Sequence, residues 1–252
     1  MAAPLSKGRL KTYRAYRQKK FRDREDLIVA EGEKIAEELL RHRPTAIRAV
    51  CALDEWWAEH PFLPPEFAGQ SYAVKPTELS QLSTFKTPNR VWILADRPAA
   101  TLDVETARTQ PTLFLDGLQD PGNVGTILRT ADWYGFRQIV CAPGTVDVFH
   151  PRTIQASMGA FLRVNAPTLS IHALHEQLPD IPLLATVLDG DPLGSAPLPR
   201  PGIYGIGNEG NGISLPFLEL NPRRLTLPGG GGAESLNAAV ATGILCSRLF
   251  EG

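Results

Sequence analysis

The chain has 252 residues, 43% of them hydrophobic and 21% charged, with a net charge of −1 at neutral pH, which suits one large or two modest globular domains and excludes a disordered chain. Its three cysteines, Cys51, Cys141 and Cys246, are far apart and odd in number, which excludes a disulfide framework or a Cys-x-x-Cys zinc site and fits a reducing, cytoplasmic setting. Met1 to Gly8 holds no apolar leader core and no apolar run approaches a membrane span, so neither membrane nor metal is expected.

The near-neutral total hides an asymmetry. Residues 7–24 carry nine Lys/Arg against the single acid Asp23, a local balance of +8 that leaves −9 for the remainder. Such a run can be no more than a solvated helix face, but it also fits a polyanionic partner. Tyr13, Tyr16 and Phe21, interleaved with the charges, tilt it toward RNA, since aromatic rings stack on unpaired bases. Lys7, Arg9, Lys11, Arg14, Arg17, Lys19 and Lys20 are the candidate RNA contacts.

Helical periodicity runs through residues 7–43, marked by Phe21, Leu27, Ile28, Ile35, Leu39 and Leu40 and interrupted at Glu31-Gly32-Glu33. Strands are expected at Ala46 to Ala52, around Ser71 to Val74 and at Arg90 to Ala95, with a helix near Glu78 to Leu82. Arg97 to Pro111 is rich in Pro, Ala and Thr and lacks periodicity, so it reads as a linker between a domain at 1–96 and one at 112–252. Beyond it, strands are expected at Thr112 to Leu115, Gln138 to Cys141, Leu183 to Val187, Ile203 to Gly207 and Arg224 to Leu227. Helices at Asn123 to Tyr134, Arg152 to Gly159, Ala173 to Leu178 and Glu234 to Phe250 alternate with them. That alternation predicts an α/β domain with a mainly parallel sheet flanked by helices.

Three segments carry chemistry. In Leu115-Asp116-Gly117-Leu118-Gln119-Asp120-Pro121-Gly122-Asn123 an apolar strand stops at an acidic turn, and the helix that follows carries Asn123 and Arg129. Strand-to-helix turns are where open α/β sheets place ligands, although Asp-Pro-Gly-Asn is also a good helix start in its own right. Gly205-Ile206-Gly207-Asn208-Glu209-Gly210 spells a dinucleotide fingerprint, but it comes late in the domain, Asn211-Gly212 interrupts it before any helix, and the next strand ends without an acid. In Leu227-Pro228-Gly229-Gly230-Gly231-Gly232-Ala233-Glu234-Ser235-Leu236-Asn237 the Lys-Ser/Thr of a phosphate loop is missing. The glycine run lets backbone approach a ligand, and Ser235 and Asn237 fall at the expected helix start, where they can cap N–H groups or meet that ligand.

In order and position the three segments resemble motifs one, two and three of the SpoU (TrmH) family of RNA 2′-O-methyltransferases. Val146-Asp147-Val148-Phe149-His150-Pro151-Arg152-Thr153-Ile154-Gln155-Ala156-Ser157-Met158-Gly159-Ala160 is similar to the family's stretch between motifs one and two, and Ile28-Val29-Ala30-Glu31-Gly32-Glu33-Lys34 to the start of its auxiliary substrate-binding domain. The likeness spans nearly the whole chain, with departures at Thr87-Pro88-Asn89-Arg90-Val91-Trp92 and in the four glycines of motif three.

The resemblance implies a deep trefoil knot in the C-terminal domain, a small N-terminal α/β unit akin to certain ribosomal proteins, a homodimer, and S-adenosylmethionine as cofactor. It implies methyl transfer to a ribose 2′-OH, with ribosomal RNA favoured over transfer RNA because the leanest tRNA-directed relatives lack the N-terminal domain. Arg129, Asn123, Glu209, Ser235 and Asn237 become the candidate catalytic set, and Gly207, Leu227, Leu236, Ile206 and Pro228 the candidate cofactor contacts. A tRNA methyltransferase is the alternative within the class. An RNA-binding protein that kept the fold without the chemistry is the alternative outside it, opposed by the intact polar set.

Overall fold

A computed structural model describes residues 2–251. The chain forms two compact units, the first running to Ala99 and taking in Phe149–Leu162, the second comprising Ala100–Val148 and the chain from Arg163 onward.

The first unit contains β1 (Ala3–Pro4), α1 (Lys7–Ala15), α2 (Lys19–Glu25), β2 (Leu27–Glu31), α3 (Glu33–His42), β3 (Ile47–Ala52), α4 (Asp54–Glu59), β4 (Gln70–Ala73), α5 (Pro76–Leu82) and β5 (Val91–Asp96). Its sheet has the order β1-β4-β3-β5-β2, with β5 antiparallel to both neighbours and the other pairs parallel. Leu27–Glu31, expected within a helical stretch, is a strand. Leu-Ile-Val is as suited to a pleat as to a helix, every residue of β2 is buried, and Gly32 at φ +99° turns the chain out of the strand into α3.

Another correction concerns Tyr13 and Tyr16, which belong to the core and not to a base-stacking surface. Tyr13 stacks on the fully buried Trp92 (ring centroids 5.6 Å apart), and the Tyr16 hydroxyl donates to Glu25 Oε2 at 2.6 Å. Among the three aromatics only Phe21 keeps an exposed part, and Lys20 Nζ sits 5.0 Å from its ring.

The second unit continues with α6 (Val104–Thr109), β6 (Pro111–Asp116), α7 (Pro121–Trp133) and β7 (Ile139–Cys141). The chain then contributes α8 (Pro151–Ser157) to the first unit, where it lies against β2. It returns as α9 (Ile171–Gln177), β8 (Leu183–Pro192), β9 (Gly202–Gly207), α10 (Leu215–Leu218), β10 (Arg223–Thr226) and α11 (Ala238–Glu251). Every pairing in the sheet β10-β8-β9-β6-β7 is parallel. Phe114, Val140, Ile203, Leu174 and Phe217 share one core cluster on the side of α6, α9 and α10, while α11 packs along α7 and reaches β9. The α/β architecture with helices flanking a parallel sheet is as expected.

Two boundaries differ from the sequence expectation. The stretch read as an aperiodic linker holds α6, capped by Asp103 Oδ1 accepting from Thr106 N at 3.0 Å, with Ala107 fully buried. Six residues are too few to show a helical period. The last helix begins at Ala238 and not at Glu234, so Ser235 lies in a loop and Asn237 precedes the first turn. The cysteines are all buried and unpaired, and burial pushes their thiols up to about 12, which removes them as nucleophiles at neutral pH.

Candidate active site

The sheet of the second unit reverses its strand order beside β6. From β6 the chain steps outward to β7, and it returns on the other side through β8 to β9, which pairs with β6 from Pro111↔Gly202 to Asp116↔Gly207. Crevices at the carboxyl ends of strands at such a reversal are the ligand sites of open parallel sheets. Motif one leaves β6 there, motif two leaves β9, and motif three follows β10, the edge strand on the far side of β8.

Motif one makes its turn through Gly117 at φ +76° and starts α7 with Pro121 in the first position. Asp120 caps the helix, its Oδ1 accepting from Asn123 N at 2.8 Å. With its main chain satisfied, Asn123 is free to use its side chain outward. Its Nδ2 donates to Glu209 Oε1 at 2.8 Å, across 86 residues of sequence, and its Oδ1 accepts from Asn237 Nδ2 at 2.9 Å, across 114. Asn237 in turn caps α11, its Oδ1 accepting from Ala239 N at 2.9 Å and Val240 N at 3.3 Å.

This row has a fixed polarity. The N–H groups at the start of α11 demand the oxygen of Asn237, which turns that residue's amide nitrogen toward Asn123 and leaves the Asn123 nitrogen facing the Glu209 carboxylate. One residue from each motif is thereby joined in a single relay.

The other predicted residues stand apart from it. Arg129 lies six residues beyond Asn123, about 9 Å along the helix and about 240° round it. It is exposed and makes no hydrogen bond or ion pair among the described residues. Its neighbour one turn on is Trp133, 82% exposed. Ser235 is exposed in the loop before α11 without a hydrogen-bond partner among the described residues, and Leu236 is half exposed. Ile206 is buried in β9, Gly207 and Leu227 are half-buried and Pro228 is exposed, all at the carboxyl end of the sheet.

Sequence reasoning passed over Leu188. It is 75% exposed on the late part of β8, and its carbonyl accepts from Thr226 Oγ1 at 3.1 Å, which places it beside the start of motif three. The available signal was an apolar residue directly before Asp189-Gly190, where a strand should be turning to solvent.

The N-terminal basic residues sit on α1 and α2 of the first unit. Arg9 is held by Gln70 and lies over the Tyr72 ring, Arg17 Nη1 donates to Gln81 O at 3.5 Å, and Lys19 pairs with Asp23 at 2.6 Å. Lys7, Lys11 and Arg14 are exposed without an acidic partner among the described residues. Their spacing of four and three residues puts them on one face of α1.

The model of the SpoU rRNA Methylase family matches residues 110–247. A 23S rRNA (guanosine(2553)-2′-O)-methyltransferase of Bacillus subtilis, RlmP, is 29% identical over 96% of this chain and 95% of its own. An uncharacterized tRNA/rRNA methyltransferase of Synechocystis is 30% identical over 96% of this chain and 89% of its own. Among solved structures, a TrmH-family protein of Porphyromonas gingivalis superposes with a TM-score of 0.85 at 37% identity, covering 98% of both chains. The SpoU methyltransferase AviRb of Streptomyces viridochromogenes, solved with AdoMet, superposes with a TM-score of 0.82 at 23% identity, covering 96% of this chain and 97% of that one, a likeness of fold.

Proposed function

The chain belongs to the SpoU rRNA methylase family, and from that membership and the joined motifs we propose that it transfers a methyl group from S-adenosylmethionine to a ribose 2′ oxygen of ribosomal RNA. The observation that carries this reading is the relay from Asn237 through Asn123 to Glu209 at the strand-order reversal. Ribosomal over transfer RNA is favoured by the end-to-end likeness to the Bacillus protein, which includes the first unit.

The residues at the carboxyl end of the sheet fit a purine-bearing cofactor. Leu188 and Leu236 expose apolar surface there, and Cβ atoms at Gly229, Gly230, Gly231 and Gly232 would meet nothing within 4 Å, so backbone is accessible. Ile206, Gly207, Leu227, Leu236 and Pro228 would hold the cofactor, which when bound supplies a methyl carbon activated by a sulfonium. Transfer to the ribose oxygen would leave the cofactor as a thioether, and the hydroxyl proton would need an acceptor other than the cofactor.

A ribose hydroxyl is a poor nucleophile until that proton is drawn away. A guanidinium carries N–H donors and no acceptor, so Arg129 is not the group that takes that proton. Its guanidinium stabilises the developing alkoxide, while an adjacent RNA phosphate takes the proton. Asn123 and Glu209 place the substrate, and Ser235 and Asn237 order the loop that faces it. Tritium transfer from labelled S-adenosylmethionine to ribosomal RNA transcripts, recovered as alkali-resistant dinucleotide, tests the reaction. Label in transfer RNA alone would replace the substrate, and cofactor binding without label in transcripts or ribosomal particles would sink the activity.

The same reading includes a homodimer and a knotted C-terminal domain. Trp133 on α7 and Val240, Ile244 and Phe250 on α11 are all substantially exposed, and Tyr134 brings the ends of these helices together with its ring 5.7 Å from that of Phe250. Exposed apolar side chains on both of these packed helices fit a second copy of the chain. Because Arg129 shares its face with Trp133, each copy would carry its arginine toward the other. Ile244→Asp should convert a dimer into monomers at micromolar concentration in sedimentation velocity, with loss of transfer; a wild-type monomer would refute the arrangement.

The N-terminal domain expected at 1–96, which lies within the first unit, is the RNA-binding part of this proposal, with Lys7, Arg9, Lys11, Arg14, Arg17, Lys19 and Lys20 as its contacts. With Tyr13 and Tyr16 buried, these residues offer charge and not stacking surface, which suits phosphates. Replacing Lys7, Lys11 and Arg14 together with Gln should flatten the dependence of log K on log salt by about two to three in RNA-binding titrations. An unchanged slope would remove this face from the interface.

A further inference from the structure

We propose that Asn208 and Asp116 are positioning residues, which clamp the motif-two loop to the end of β6 and so set where Glu209 meets Asn123. This rests on the methyl-transfer reading above and extends it to two residues that carry no role there.

The clamp has an inner and an outer part. Inside, Asn208 and Gly212 exchange main-chain hydrogen bonds, each at 2.9 Å, and close a five-residue loop with Glu209 near its tip. Asn208 Oδ1 fills that loop by accepting from Gly210 N at 2.9 Å and Asn211 N at 3.1 Å. The returning limb passes so close to Gly207 that a Cβ there would lie 2.4 Å from the carbonyl carbon of Gly212. Only glycine lets the limbs approach to this distance.

The outer part ties both limbs to β6 and the turn after it. Asn208 Nδ2 donates to Gly117 O at 2.7 Å, and Ser214 N donates to Oδ2 of the buried Asp116 at 2.7 Å. The same strand end leads, through Gly117 and Asp120, into Asn123. Glu209 and Asn123 are therefore fixed to one piece of backbone from two directions before their side chains touch. An exposed carboxylate on a free five-residue loop would sample many positions, whereas this one is held where the Asn123 amide waits.

Two isosteric changes separate the functions of these side chains. Asn208→Asp keeps the acceptors for Gly210 N and Asn211 N but turns an oxygen toward Gly117 O, and Asp116→Asn keeps an acceptor for Ser214 N where Asp116→Ala removes it. Asn208→Asp and Asp116→Ala should slow single-turnover transfer by about 100-fold, with KM for RNA within about threefold and little change in melting temperature. Asp116→Asn should stay within about fivefold of wild type, because its amide oxygen still accepts from Ser214 N. Equal rates in all four proteins would overturn the assignment, as would an Asp116→Asn variant as slow as Asp116→Ala, or a loss appearing mainly in KM.

Hydrogen exchange over residues 207–214 tests the clamp independently of turnover. Faster exchange in Asn208→Asp supports it and unchanged exchange overturns it. A wild type that transfers no methyl group counts against the methyl-transfer reading alone, because the exchange measurement still decides whether the clamp exists.

Discussion

Arg129→Ala should lower methyl transfer to ribosomal RNA by about 100- to 1000-fold, the range seen when a preorganised donor to a developing oxyanion is removed. The expectation comes from chemistry and position together. Arg129 is exposed, has no partner of its own among the described residues and lies off the relay of Asn123, so its charge is uncommitted within the single chain. Its removal disturbs no contact that holds α7, and the melting temperature should stay within a few degrees, about the effect of an ordinary surface substitution. Binding of S-adenosylmethionine, followed by calorimetry, should likewise persist. Arg129→Lys keeps a charge but loses the planar fork that meets two oxygens at once, so it should recover only part of the rate. Activity within a fewfold of wild type for the alanine variant would rule out the role given to Arg129.

Asn123 is the second position where a small change should have a large effect. It is the middle of a row whose polarity is imposed from α11, and it both accepts from Asn237 and donates to Glu209. Asn123→Asp preserves shape and the bond from Asn237 but sets a second carboxylate against Glu209, where one of the two acids must move away or take up a proton. A rate loss of about 100-fold is expected from displacement of either group by about 1 Å. Asn123→Ala leaves Glu209 and Asn237 to water, so its stability cost should be no more than about 1 kcal/mol, while its rate should fall as far. Rates within about threefold of wild type for both variants, measured under single turnover, would mean that the row is only a structural tie.

The parallel sheet was legible because Leu113 to Leu115, Ile139 to Cys141 and Ile203 to Ile206 are short apolar runs set between helical patterns, and the turns that bound them are written in Gly, Pro and Asp. The places where sequence misled have separate physical causes. Leu27–Glu31 sits between two helices and continues their apolar rhythm, so only pairing with β5 reveals it as a strand. Tyr13 and Tyr16 alternate with charges, yet helical turning carries the charges to solvent and the rings to Trp92 and Glu25. Glu234 looked like a helix start, but the capping side chain is that of Asn237. The candidate residues themselves could be named from their motifs. Their meeting could not, since it depends on hydrogen bonds spanning 86 and 114 residues that no local pattern records.

The excursion of α8 into the first unit bears on how the chain is made. A ribosome releases residues up to Ala99 first, but that unit still lacks the helix that lies against β2 until the chain has grown past Leu162. By then Ala100–Val148, with β6, α7 and β7, has already emerged. Domains usually complete themselves in order during synthesis. Here the early unit must wait with the outer strand β2 without its covering helix while the later unit begins to form, so the chain between about residues 100 and 160 emerges with an open sheet edge.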